Sequence, residues 1–159
     1  MKNFNVKDLT INAIYGSIYF VFVLIFSFLS FEAIQFRVAE VLLIFVLFNP
    51  KIAPGLILGT FLANLTSPFG IVDALVGTLA SLIAIILMII TRKIPLLAML
   101  FPALSNGIIV GIMISYLSKT PFLVNFGLVF LGEFVVMYIL GLPLYYYFKK
   151  NKDLLEIIT

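Results

Sequence analysis

Long apolar runs, separated by short clusters of Pro, Gly, Asn, Lys and Arg, set the pattern of this chain. An α-helix needs about twenty apolar residues to cross the hydrocarbon core, at about 1.5 Å of rise each. Ile11–Leu29, Ile71–Ile90, Leu96–Leu117 and Phe122–Phe148 meet that length. Val38–Phe48 and Pro54–Leu65 are nearer a dozen residues each, flanking Asn49-Pro50-Lys51. A re-entrant hairpin made of these two runs would hold Lys51 near the membrane centre, where a lysine costs about 3 kcal/mol. Two short spans with Lys51 at the interface avoid that cost. The expectation is therefore an all-α integral membrane protein: one transmembrane domain over residues 1–159, built as a six-helix bundle. Asp8-Leu9-Thr10 is the expected cap of the first helix. That helix is too long for a cleaved signal and is expected to remain a span.

Charge supplies the orientation. Six spans put both termini on one side, with Lys2, Lys7, Lys51, Arg92, Lys93, Lys149, Lys150 and Lys152, against Arg37 and Lys119 on the other. The positive-inside rule makes the first side cytoplasmic. Tyr145-Tyr146-Tyr147 before Lys149-Lys150 fits an interfacial anchor in a chain without Trp. Composition agrees: 64% of residues are hydrophobic and 11% charged, against about a quarter charged in soluble domains. The basic residues are scattered singly or in pairs, so nucleic acid is not an expected partner. With no Cys and no His, thiol chemistry, disulfides and the commonest metal ligand are excluded. No catalytic constellation is visible and no metal site is expected.

Small residues recur at helical spacing: Gly55, Gly59 and Ala63; Ala103, Gly107, Gly111 and Ser115; and, on the first helix, Ala13 and Ser17. Such ladders let helices approach closely in lipid. The two long ladders read as bundle packing. The short one, on a helix with little else polar, suits docking of another membrane protein.

Glu40, Asp73 and Glu133 fall in or at the lip of expected spans, where ionisable groups are rare and usually functional. Arg37 precedes Glu40 by three residues, so the two could pair on one helix face. Asp73 could simply cap the fourth helix. Glu133 lies deep in the sixth helix with no basic residue near it in sequence. It is either protonated or meets a cation or hydrogen-bond donor across a cavity. Asn106 and Asn64 add neutral polar groups, and Glu32, Gln35 and Phe36 precede the second helix in an outer loop. Together these residues lie from the outer surface to mid-membrane, which suggests a solute site open to the outside.

The segments Gln35-Phe36-Arg37-Val38-Ala39-Glu40, Asn49-Pro50-Lys51, Pro54-Gly55-Leu56, Ala63-Asn64-Leu65, Ser67-Pro68-Phe69-Gly70 with Asp73, and Gly77-Thr78-Leu79-Ala80 resemble the QueT family. Pro102-Ala103-Leu104-Ser105-Asn106-Gly107, Leu131-Gly132-Glu133 and Leu140-Gly141-Leu142-Pro143 continue the match over nearly the whole chain. The resemblance implies an S component of an energy-coupling-factor (ECF) transporter, a prokaryotic ABC class. It would be a six-helix protein of the cell membrane that binds a queuosine precursor, a deazaguanine with an aminomethyl arm. It implies as partners a transmembrane coupling subunit and two ATPases. The chain has no phosphate-binding loop, so it needs no cofactor and ATP is used by the partners. Members dock through an Ala-x-x-x-Ala patch on the first helix; Ala13 and Ser17 match, with Ser in place of the second Ala. For such a ligand, Glu133 or Glu40 would read the donor edge and Asp73 or Glu32 the ammonium. Asn106, Asn64, Gln35 and Arg37 would complete the lining, and the Glu32–Arg37 loop would close over the base. The alternatives are an S component for another vitamin-like heterocycle, or a structural membrane protein with no solute.

Overall fold

The computed structural model describes residues 5–30, 35–151 and 153–155. Helical segments follow the six apolar runs, and no strand occurs among the described residues. The first helix is Val6–Ile25, followed by the turn Ser27–Ser30. The second is a 3-10 helix, Val38–Leu47, and the third is Ala53–Asn64 after the short turn Pro50–Ile52. The fourth is Ile71–Ile90. The fifth is Leu100–Ser118, preceded by a turn at Pro95–Ala98. The sixth runs helically from Phe122 to Lys150. Val6–Ile25, Ile71–Ile90, Pro95–Ser118 and Phe122–Lys150 are long and apolar enough to cross a membrane.

The first helix starts earlier than expected. Asn5, not the Asp8-Leu9-Thr10 group, is its cap: Asn5 Oδ1 accepts from Asp8 N–H at 2.9 Å, and Asp8 Oδ2 accepts from Asn5 N–H at 3.0 Å. This reciprocal pair satisfies two backbone donors at the helix start.

The second helix is the core of the molecule. Every residue from Ala39 to Leu47 is buried. Burial on every side shows that this helix is enclosed by its neighbours and not by lipid. Enclosure also explains how a ten-residue element serves here. Its flanks meet protein, not lipid, and 3-10 geometry stretches it to about 2.0 Å per residue. The sixth helix widens to a π turn at Val136–Gly141, just before Pro143. A proline inside a helix lacks an N–H and crowds the preceding turn's carbonyl, and a π turn absorbs the mismatch. The break at Met99 stands in the same relation to Pro102.

The fourth helix shows how faces are assigned. Ile71, Leu75, Leu79, Ile86 and Ile90 are exposed, whereas Asp73, Ala74, Gly77, Ala80, Ser81 and Ala84 are buried. Most bulky apolar residues point outward and small or polar ones inward, as lipid-facing helices require, while Ile85 and Met88 join the apolar core.

The glycine ladders pack the bundle. Gly16 lies against the backbone of Gly55 and Gly59, so that a Cβ at any of the three would strike the facing main chain. Asn12 locks the same contact: its Nδ2 donates to Lys51 O at 2.8 Å, and its Oδ1 accepts from Gly55 N–H at 2.6 Å. The first helix is therefore more polar inside than its sequence suggested. Lys51 itself pairs with Asp8 at 2.7 Å. In the other ladder, Gly107 and Gly111 receive Phe126 and Phe130 of the sixth helix.

Candidate solute-binding site

Arg37 heads the second helix in a tight, non-helical turn. Arg37 N–H donates to Gln35 O and Val38 N–H to Phe36 O, each at 3.0 Å. The Gln35 carbonyl lies directly on Gly132, where a side chain would collide with it. The loop is thus pressed onto the sixth helix one residue before Glu133. Because Arg37 is not helical, with ψ 80°, it does not share a helix face with Glu40.

Arg37 pairs instead with Asp73, Nη2 to Oδ1 at 3.6 Å, with both side chains 2% exposed. Asp73 is not the cap of the fourth helix. Gly70 is, with φ 53° and no side-chain capping bond. Asp73 and Asn64 meet over Gly77, where a Cβ would come within 2.8 Å of Asp73 Oδ1 and 2.6 Å of Asn64 Nδ2.

The two glutamates are fully buried, each tied by one oxygen. Tyr19 Oη donates to Glu40 Oε1 at 2.6 Å, and Ser81 Oγ approaches the same oxygen at 3.4 Å. Asn106 Nδ2 donates to Glu133 Oε1 at 3.2 Å. Arg37 interacts electrostatically with Asp73, Glu133 and Glu40. The cluster therefore sets one guanidinium among three carboxylates, with its members drawn from all six helices and the Gln35–Arg37 turn.

Most of these polar groups are incompletely matched by protein. Gln35 Oε1, Glu40 Oε2, Asp73 Oδ1, Asn106 Oδ1 and Glu133 Oε2 have no hydrogen-bond partner, and neither do Arg37 Nε, Nη1 and Nη2 or Asn64 Nδ2. Each such buried group costs about 1–3 kcal/mol, and folded proteins keep only a few per hundred residues. Their concentration in one place marks a site built to hold something polar. Five unmatched acceptor oxygens stand beside four unmatched donor nitrogens, so the matching solute carries both N–H and acceptor groups. Among the described residues, no three His, Cys, Asp or Glu side chains are grouped as metal ligands.

Of the expected site residues, Gln35, Arg37, Glu40, Asn64, Asp73, Asn106 and Glu133 are brought into this buried region. Phe36 packs against the main apolar core. Glu32 lies outside the described residues. Ala13 and Ser17 are elsewhere, on the exposed face of the first helix. They line a groove of 380 Å³ with Gly16, Leu58, Gly59 and Leu62. A second groove, of 570 Å³, is lined by Val72, Val76, Ile109, Ile112, Met113, Tyr116 and Leu117. Both are open and mainly apolar, and neither is lined by the residues that carry the unmatched polar atoms of the cluster.

The family model for the QueT transporter matches residues 9–150. The chain belongs to the QueT transporter family. It is 28% identical over 155 residues to the queuosine precursor transporter QueT of Lactococcus lactis subsp. cremoris (strain MG1363), covering 87% of this chain and 90% of that protein. No solved structure matches the chain significantly. A QueT transporter is not an enzyme, and with its several long apolar helices this one is a multi-pass membrane protein.

Two members of this QueT cluster are not apparent from sequence. Tyr19 reads as an ordinary membrane aromatic and Ser81 as a small packing residue. The signal for Tyr19 was present in the buried stripe Asn12, Tyr15, Gly16, Tyr19, Val23, which recurs at three- and four-residue steps along one face of the first helix.

Proposed function

We propose that this QueT protein is the substrate-binding S component of an ECF-type importer in a prokaryotic cell membrane, and that it binds a queuosine precursor from outside. The observation that carries this reading is the buried cluster of unmatched acceptors and donors around Arg37. An aminomethyl deazaguanine offers a ring N–H, an exocyclic amine and an ammonium arm to acceptors, and one carbonyl to donors. The first three match the unmatched oxygens of Glu40 and Glu133 and the Asp73 carboxylate beside Arg37, and the carbonyl matches Arg37 or Asn64. The name of the Lactococcus relative supports the same ligand. Tyr19 and Asn106 each hold one glutamate oxygen, which leaves Oε2 of each as the unmatched acceptor for the donor edge.

The chain crosses the membrane six times in this reading, with both termini cytoplasmic. The distribution of Lys and Arg supports the orientation. So does the Lys51–Asp8 pair, which sets the turn between the second and third helices beside the start of the first. Ala13 and Ser17 present the first helix to the coupling subunit, and two ATPase subunits supply the drive. Transport then consists of binding, docking and reorientation, without covalent chemistry in this chain.

The test is titration of the purified chain in detergent with the aminomethyl deazaguanine, using riboflavin, thiamine and guanine as controls. Tight binding of the deazaguanine alone supports the reading. Binding of a control instead moves the substrate to another vitamin-like heterocycle. No binding at all returns the protein to a structural role.

A further inference from the structure

The first helix contributes a side chain to the polar cluster that transport by itself does not explain. Tyr19 is 1% exposed, and its hydroxyl reaches Glu40 Oε1 at 2.6 Å. A phenol facing a carboxylate oxygen donates to it, so Oε1 is occupied and Oε2 is the oxygen left without a partner. Ser81 Oγ, from the fourth helix, approaches the same Oε1 at 3.4 Å. Two donors on one oxygen orient the whole carboxylate.

Resting on the proposed ligand class, we infer that Tyr19 is a positioning residue for solute specificity: by holding Glu40 Oε1 it makes Oε2 a fixed acceptor that demands an N–H from the ligand. The hold is rigid for a structural reason. A tyrosine has two side-chain torsions, and its helix is seated on the third through Gly16, Gly55 and Gly59 with no room for an added methyl. Asn12 bolts the same pair of helices together. Glu133 is held differently. Its partner Asn106 has an unmatched Oδ1 of its own, so that amide is itself part of the ligand-facing surface.

A fixed acceptor discriminates strongly. A ligand lacking the required donor strands Glu40 Oε2 in a buried place, and sites built to hydrogen-bond a substrate group reject analogues without it by about 10⁴-fold. If Tyr19 is removed, the carboxylate is free to turn toward Arg37 and satisfy itself. The penalty for a missing donor then falls, and selectivity drops further than affinity.

The full chain, purified in detergent, is titrated calorimetrically with three compounds: the aminomethyl deazaguanine, its analogue without the exocyclic amine, and its analogue with methyl in place of the aminomethyl arm. Wild-type binding of the first compound tests the ligand reading; failure there overturns that reading and this inference with it. Given wild-type binding, Tyr19→Phe is expected to lower one of the two discrimination ratios by at least about tenfold, which also identifies the donor that Glu40 reads. Both ratios unchanged would overturn the inference, whether or not overall affinity falls, because a merely structural tyrosine weakens all three ligands alike. Should Tyr19→Phe not elute as a folded protein, Ser81→Ala removes the longer contact to the same oxygen. It is expected to lower the same single ratio by about twofold or more, and unchanged ratios there would equally overturn the inference.

Discussion

Arg37 Nη2 stands 3.6 Å from Asp73 Oδ1, beyond hydrogen-bond reach but within ion-pair distance, joining the entrance of the second helix to the first turn of the fourth. The two are not equivalent. Asp73 has Arg37 as its paired cation, whereas Arg37 also interacts electrostatically with Glu40 and Glu133. Removing one partner of a buried pair leaves an uncompensated charge and costs about 3–5 kcal/mol. Arg37→Met should therefore destabilise the protein by that amount, and Asp73→Asn by clearly less. Thermal unfolding in detergent measures both. Equal losses would mean that Glu40 and Glu133 contribute nothing to holding Arg37.

Glu133→Gln keeps the shape of the side chain and the approach of Asn106, but replaces the unmatched carboxyl oxygen with an amide group. Affinity for the deazaguanine should fall at least about tenfold, or roughly 1.4 kcal/mol. Calorimetric titration decides it, and unchanged affinity would remove Glu133 from the site.

Asn12→Ala strips three contacts, to Asp8 O, Lys51 O and Gly55 N–H. The stranded Gly55 donor should cost about 1–3 kcal/mol of stability. Lys51→Ala breaks an ion pair whose lysine side chain is 34% exposed, and such pairs are worth only about 0–1 kcal/mol. The neutral asparagine should thus matter more than the charged lysine, a ranking that paired unfolding measurements can reverse.

Ala13→Leu fills the groove between the first and third helices from its exposed side, far from the polar cluster. Ligand affinity should be unchanged, while co-purification with the coupling subunit is lost. Recovery of the intact complex would move docking to another face.

Much of the outline could be read from sequence because lipid imposes it. Apolar runs must become helices, since no water is present to satisfy an exposed backbone. The six runs accordingly mark the helical segments, and Arg37, Glu40, Asn64, Asp73, Asn106 and Glu133 stood out as polar groups in oil. Local form was less legible. The 3-10 geometry of Val38–Leu47 is not encoded in its apolar pattern, which reads the same for any helix enclosed on all sides. Capping by Asn5 was missed because the polar start of the chain gave several candidate caps and sequence alone did not rank them.

The pairing of these groups was decided only by the tertiary structure. Sequence proximity suggested Arg37 with Glu40, yet the turn at Arg37 directs the guanidinium to Asp73, and Glu40 is held by Tyr19 from the first helix. Sequence determined that this chain lies in a membrane and carries charge there, because burial in lipid constrains each residue by itself. Which charge meets which depends on how the helices rotate against one another. That rotation is set by close contacts such as Gly16 on Gly59 and Gln35 on Gly132, between residues far apart along the chain.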